Sequence, residues 1–183
     1  MTVDGYVAGP NGELDWMIFT WEDKGRDYVN NLTDTSDTIL LGRKMTDGFV
    51  NYWTSVLNDP ESPQYAFARK MVNIPKIVFS KTVKKSNWAN TTVTNGDLVE
   101  EVEKLKNQAG KDIIVYGGAS FVSSLIKNNL IDEYHFFVNP VAIGKGMTIF
   151  GDLDAKLNLK LVSSRAFSSG KVALCYEKNL GKG

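Results

Sequence analysis

"DIIVYGGASF", residues 112–121, is a run of strand formers that stops at two glycines and passes through Ala119 and Ser120 into the apolar helical pattern of SFVSSLIKNN. One glycine makes a turn. Two, followed by a serine at a helix start, indicate that something comes very close to the backbone there. Working outward, TILL (38–41) and KIVF (76–79) are two more unbroken apolar runs, as strands buried on both faces are. Helical patterns alternate with them. Trp21, Tyr28, Val29 and Leu32 share one face of a segment over 21–32. MTDGFVNYW (45–53) reads as helical at first and then irregular, and PQYAFARKMV (63–72) as a helix closed by Pro75. The clearest helix is 97–109, with Asp97 as N-cap or first-turn acid and Gly110 as its stop.

Thr2–Ala8 reads as the tail of a strand, TTVT (91–94) as a short strand, and IDEYHFFVNP (131–140) leads to a glycine-rich loop. Leu157–Phe167 and Lys171–Glu177, joined at Ser168–Gly170, read as an antiparallel hairpin. The alternation predicts an α/β fold with a mainly parallel sheet covered on both faces, and a C-terminal antiparallel hairpin at one edge. No repeat or linker interrupts it, so 1–183 reads as one domain.

At 183 residues, 43% hydrophobic and 11% aromatic, the chain is long enough to bury a sizeable core. Its formal charge is zero, so nothing in bulk electrostatics points to nucleic acid or an anionic membrane surface. No apolar stretch approaches a membrane span of about 18 residues. A cytoplasmic setting is the expectation. The single cysteine, Cys175, reads as a small buried hydrophobe, and the single histidine, His135, as a structural strand residue. No metal-ligand set is read from the sequence.

Parallel strands end on one edge of a sheet, where ligands of open α/β sheets bind. The predicted ends carry Gly42-Arg43-Lys44, Ser80-Lys81-Thr82 and Gly117-Gly118-Ala119-Ser120. Glycines let phosphate oxygens approach backbone N–H groups, and a helix starting near Ser120 adds unpaired donors. Arg43 can grip phosphate through two parallel bonds, and Lys81 acts as a point charge. The G-x-G-x-x-G fingerprint and an acidic ribose partner are both missing, which favours a 2′-phosphate and hence NADPH over NADH. The double glycine then clears space for a pyrophosphate.

Five stretches in order, VDGYVAGPNGELDW (3–16), LLGRKM (40–45), VFSKT (78–82), VYGGAS (115–120) and NPVAIGKGMTIF (139–150), resemble the dihydrofolate-reductase-like family. They are most similar to its branch related to the C-terminal reductase domain of bacterial riboflavin biosynthesis. The resemblance implies a three-layer fold and an NADPH site in which the G-R-K, S-K-T and G-G-A-S segments hold the phosphates. It also implies that the backbone near Val7 and Ala8 meets the nicotinamide amide. Only Met1–Val3 precede Asp4, so the family's first strand is expected to be shortened or to begin outside this sequence. Asp23 and Asp27 lie near the folate carboxylate position, but TWEDKGRDYV does not match that pattern. The zinc-deaminase motifs of the riboflavin enzymes are absent from the sequence.

Asp4, at the end of the expected first strand, is the candidate to orient a substrate or relay a proton. Trp16 and Phe150 are candidates for the substrate wall, and Lys145, between Gly144 and Gly146, for a mobile cation facing a substrate phosphate. The leading reading is a stand-alone NADPH-dependent reductase that transfers a hydride to a C=N or C=O group of a small, heterocyclic substrate. The alternatives are reduction of a ribosylaminopyrimidine in riboflavin biosynthesis and a non-catalytic nucleotide sensor. The apolar residues of the hairpin (Phe167, Val172, Leu174, Tyr176) predict a homodimer.

Overall fold

A computed structural model describes residues 1–179. By internal contacts the chain divides into two compact units, one continuous (Tyr28–Val122) and one assembled from residues 1–27 and 123 onward.

The continuous unit holds the predicted parallel sheet. Its strands are β1 (Ser36–Gly42), β2 (Lys76–Phe79), β3 (Thr91–Thr94) and β4 (Asp112–Gly117), in the order β3-β2-β1-β4. All three pairings are parallel. Ile39, Leu40 and Leu41 are each at most 3% exposed, which is why that run is continuous rather than alternating. Helix α2 (Arg43–Val56) packs on β1 and β2 and against α3 (Tyr65–Asn73). The core joins Ile39, Leu41, Phe49, Met71 and Val78, with Trp53, Phe67 and Tyr116 packed against it. Trp53 meets Phe49 and Phe67 edge-on at centroid distances of 6.3 and 5.1 Å. Truncating Ile39 or Met71 to alanine is expected to cost about 2–5 kcal/mol.

Two boundaries differ from expectation. α2 does not become irregular after Gly48 but continues to Val56, because Phe49 and Trp53 both point into this core. Helix α4 (Leu98–Lys106) is capped by Asp97, whose carboxylate accepts from the N–H groups of Val99 and Glu100, yet it ends before Gly110. Asn107 takes the C-cap. Gly110 serves packing instead: a Cβ there would lie 2.7 Å from the Asp37 carboxylate, which accepts the Lys111 N–H.

The second unit contains a three-stranded antiparallel sheet, β5 (Glu133–Val138), β6 (Leu159–Ala166) and β7 (Val172–Lys178), ordered β5-β7-β6. The predicted hairpin is therefore β6–β7, but it pairs with β5 in a separate sheet rather than extending the parallel one. Its turn is tied down by Lys171, only 2% exposed, which donates to the carbonyls of Ile18 and Thr20 and lies 3.6 Å over the Trp21 ring. Residues 2–8 are not a strand. Thr2 and Tyr6 bond each other across a turn with Gly5 at φ +88°, and only isolated bridges, Thr2 with Asn139 and Ala8 with Met147, tie the segment to its neighbours. The Asp-Gly pair forms a turn where the flanking valines suggested extension. The remaining helices, α1 (Asp23–Asp34) and α5 (Ala119–Lys127), contain the chain positions where one unit gives way to the other. No helix among the described residues is long and apolar enough to cross a membrane.

Candidate functional site

The register of the parallel sheet sets Gly42 beside Phe79, Phe79 beside Thr94, and Leu41 beside Gly117. The C-terminal ends of all four strands therefore lie along one edge. The three segments singled out in the sequence follow directly from them: Arg43-Lys44, Ser80-Lys81-Thr82 and Gly118-Ala119-Ser120. Arg43, Lys44, Lys81 and Thr82 are exposed there, and Lys84 and Lys85 continue the basic character of the loop after β2. α2 begins at this edge with Gly42 as N-cap, no side-chain cap bond and no acid in its first turn. Its first N–H groups thus carry the positive end of the helix dipole unmatched by a carboxylate. α5 begins there as well, also without an acid in its first turn.

The three glycines of the edge have different reasons to be there. Gly42 is required by close approach, since a Cβ would stand 2.9 Å from Phe121 Cβ and 3.2 Å from the backbone nitrogen of Gly118. Gly117 is required by conformation, with φ at +124°. Gly118, joined to Gly117 by a cis peptide bond, has neither a positive φ nor a close contact: beyond its chain neighbours the nearest atom to an added Cβ is Met45 Cβ at 3.8 Å, an ordinary contact.

Ser80 is buried and already engaged. Its hydroxyl accepts the N–H groups of Thr82 (3.2 Å) and Val83 (2.9 Å), which shapes the loop that displays Lys81. Asn95, after β3, donates its amide to the carbonyls of Ser80 and, at 2.8 Å, Val83, and so holds that loop from the neighbouring strand. Only the Asn-Gly pair after TTVT marks Asn95 in the sequence.

In the other unit the backbone at Val7 and Ala8 is paired with Met147: Val7 N–H donates to the Met147 carbonyl, and Met147 N–H to that of Ala8, both at 2.8 Å. The Val7 carbonyl and the Ala8 N–H are the groups this pairing leaves for the nicotinamide contact that the resemblance implies. Asp4 sits in the Thr2–Tyr6 turn rather than at a strand end. Its Oδ2 accepts the N–H groups of Ile143 (3.1 Å) and Gly144 (2.8 Å). Hydrogen bonding from Thr2, followed by those of Gly144 and Ile143, holds the carboxyl below its ordinary value. Asp4 is thus an ionised clamp on the loop that carries exposed Lys145.

That loop is pinned, not the swinging arm its glycines suggested. Gly144 is at φ +73°, and a Cβ at Gly146 would collide with the Ala8 carbonyl oxygen at 2.3 Å. Phe150 is half-buried and meets Phe136 edge-on at 5.8 Å, which makes it part of the packing over β5. Trp16 is half-buried, and its indole N–H is buried with no hydrogen-bond partner among the described residues. Leaving such a donor unsatisfied costs about 1–3 kcal/mol.

The model of the RibD C-terminal domain matches residues 1–173. The protein YyaP of Bacillus subtilis (strain 168) is 38% identical over 181 residues, covering 98% of this chain and 92% of its own. Among solved structures, a diaminohydroxyphosphoribosylaminopyrimidine deaminase/5-amino-6-(5-phosphoribosylamino)uracil reductase from Thermotoga maritima matches with a TM-score of 0.65 at 18% identity, over 97% of this chain and 54% of that one. Dihydrofolate reductase from Enterococcus faecalis, complexed with NADP(H), matches with a TM-score of 0.59 at 16% identity, over 98% and 92%. The fold is therefore the dihydrofolate-reductase-like α/β fold expected from the five sequence stretches.

Proposed function

The chain belongs to the RibD C-terminal domain family, and from that premise we propose that it is an NADPH-dependent reductase of a small, anionic, heterocyclic substrate. The observation that carries this reading is Gly118, where an added Cβ would meet nothing closer than 3.8 Å beyond its chain neighbours, beside two acid-free helix starts and a basic rim. The residues present suit a dinucleotide. Backbone N–H groups at the starts of α2 and α5 donate to the pyrophosphate, while Arg43, Lys44, Lys81 and Thr82 offer charge and hydroxyl to a 2′-phosphate. When bound, the nicotinamide supplies the hydride.

The chain's own contribution is orientation. Asp4 fixes the 143–146 loop and presents Lys145 to an anionic substrate group. It stays ionised and is a positioning residue, not a proton donor. The unpartnered Trp16 indole N–H is a donor for a substrate acceptor. A second reading, the ribosylaminopyrimidine reduction of riboflavin biosynthesis, is favoured by the relative from Corynebacterium ammoniagenes, a riboflavin biosynthesis protein RibD 20% identical over 157 residues. Its phosphorylated substrate would suit Lys145.

The test is a thermal-shift titration with NADPH and NADH, followed by NADPH oxidation with ribosylaminopyrimidine phosphate and dihydrofolate. A larger shift with NADPH and turnover of the pyrimidine but not of dihydrofolate are expected. Equal shifts with both nucleotides would refute the phosphate assignment, brisk dihydrofolate reduction would refute the substrate class, and binding without any turnover would indicate a sensor.

The homodimer is also retained as a proposal, through a different surface. β7 lies in the middle of its sheet, with Phe167 buried and Val172, Leu174 and Tyr176 half-buried, so these residues are already packed. Edge strand β6 instead exposes Leu161 (52%) and Val162 (49%). Light scattering at micromolar concentration should give twice the chain mass, and a monomer mass would refute it.

A further inference from the structure

β5 and β7 bring together the chain's one histidine and one cysteine. Their register pairs His135 with Cys175 and Glu133 with Glu177, so all four side chains leave the same face of the antiparallel sheet. The ligand atoms of Glu133, His135 and Cys175 lie within 4.8 Å of one another. Burial is graded across them: the thiol is buried, the imidazole half-buried and the carboxylate exposed. The thiol forms the floor of this group and the carboxylate its rim.

We propose that Glu133, His135 and Cys175 form a binding site for a borderline-soft divalent transition-metal ion, of the zinc or cobalt kind. The donor set decides the class. A sulfur, an imidazole nitrogen and one carboxylate oxygen suit zinc-like ions, whereas magnesium and calcium take oxygen ligands. Tetrahedral zinc bond lengths imply ligand separations of roughly 3.3–3.6 Å. Glu133 Oε1 and His135 Nε2 now stand 2.5 Å apart in a hydrogen bond and would part slightly, while the thiol draws in. Those adjustments lie within side-chain rotation on a backbone fixed by the β5–β7 ladder. On binding, the thiol proton leaves to solvent and sulfur becomes a ligand. A water or the Glu177 carboxylate, cross-strand from Glu133, completes the fourth position. No spacing in the sequence announces this group, because the cysteine joins the i, i+2 pair only through strand pairing.

The test uses the reduced, tag-free chain titrated with Co²⁺. A tetrahedral d–d spectrum and a thiolate-to-cobalt charge-transfer band should appear at one ion per chain and be displaced by Zn²⁺. Since Cys175 is the only thiol, that band reports this site alone. Cys175→Ala should abolish the band, and His135→Gln should weaken binding about tenfold or more, each with an unchanged far-ultraviolet circular dichroism spectrum. Cys175→Ser substitutes if the alanine variant does not fold. A titration to saturating Co²⁺ without a charge-transfer band, or undiminished affinity in a folded His135→Gln, would overturn the site.

Discussion

The parallel-sheet edge and the 1–8/143–150 region present the groups proposed for binding by opposite means. At the edge, Gly118 leaves room over the backbone, and the proposed donors are N–H groups whose positions follow from strand register. In the other region a side chain, Asp4, grips the backbone of a loop and thereby displays another side chain, Lys145. The first arrangement is fixed by topology and resists point substitution except where bulk enters. The second hangs on one carboxylate. Backbone-built sites should therefore fail by obstruction and clamp-built sites by release.

The most damaging change should be Gly118→Val. Its branched side chain fills the open space at the edge, so nucleotide binding should fall by more than about 100-fold, or about 2.7 kcal/mol. Circular dichroism and thermal melting should stay near wild type, because only Met45 is in reach of the new Cβ. Gly117→Val should instead lower the melting temperature, since φ at +124° excludes a branched residue. If both variants lost stability alike, the distinction between the two glycines would break.

Arg43→Ala comes next. Losing its charge-assisted bonds should weaken NADPH binding about 10- to 100-fold while leaving NADH nearly unchanged. An equal loss for both nucleotides in fluorescence titrations would move Arg43 from the 2′-phosphate to the pyrophosphate.

The clamp should show smaller effects. Lys145→Ala is expected to raise KM for an anionic substrate about tenfold, with kcat less affected. Asp4→Asn, which keeps shape but loses charge, should move KM in the same direction by less. An unchanged KM in the lysine variant would reduce that loop to a surface feature.

Much of this was legible in the sequence because strand ends announce themselves. Apolar runs such as TILL and DIIVY end in glycine with basic or hydroxyl residues next, and the parallel register turns that local pattern into a shared edge. What stayed hidden depends on partners distant in the chain. Asn95 gains its role only once β3 has docked on β2 and Ser80 O is within reach. The sequence marks Asp4 as a candidate, but its partners, the N–H groups of Ile143 and Gly144, lie about 140 residues away and leave no local signal. The Asp-Gly pair at 4–5 turns the chain although valines flank it on both sides. Gly110 marked a helix end in the sequence and a contact with Asp37 in the fold.

The smallest expected effect leaves binding untouched and bears on how each unit buries a lysine. Lys171 has a ring and two carbonyls. Lys76, 3% exposed, has the carbonyls of Val72 and Ile74 and no carboxylate partner among the described residues. Burial lowers its folded pKa to about 8, from an ordinary 10.5. Between those values the unfolded chain holds a proton that the folded one has released, so stability rises with pH across the window. The gain should be about 1–3 kcal/mol in urea titrations from pH 8 to pH 10.5. Lys76→Met should lack that rise; an identical slope in the variant would assign it to other groups.

The second unit is stitched from both parts of the chain: Met1 donates to the Phe137 carbonyl, Ile18 N–H to the Asn139 side chain, and Lys171 reaches back to Ile18 and Thr20. Each of these bonds spans more than 120 residues. The continuous unit, by contrast, is complete in sequence by Val122. A ribosome emits residues 1–27 before Tyr28–Val122, yet their bonds to Phe137, Asn139 and Lys171 can form only after those later residues have been made. A segment made before the parallel sheet thus completes its long-range bonds after that sheet's strands are all present.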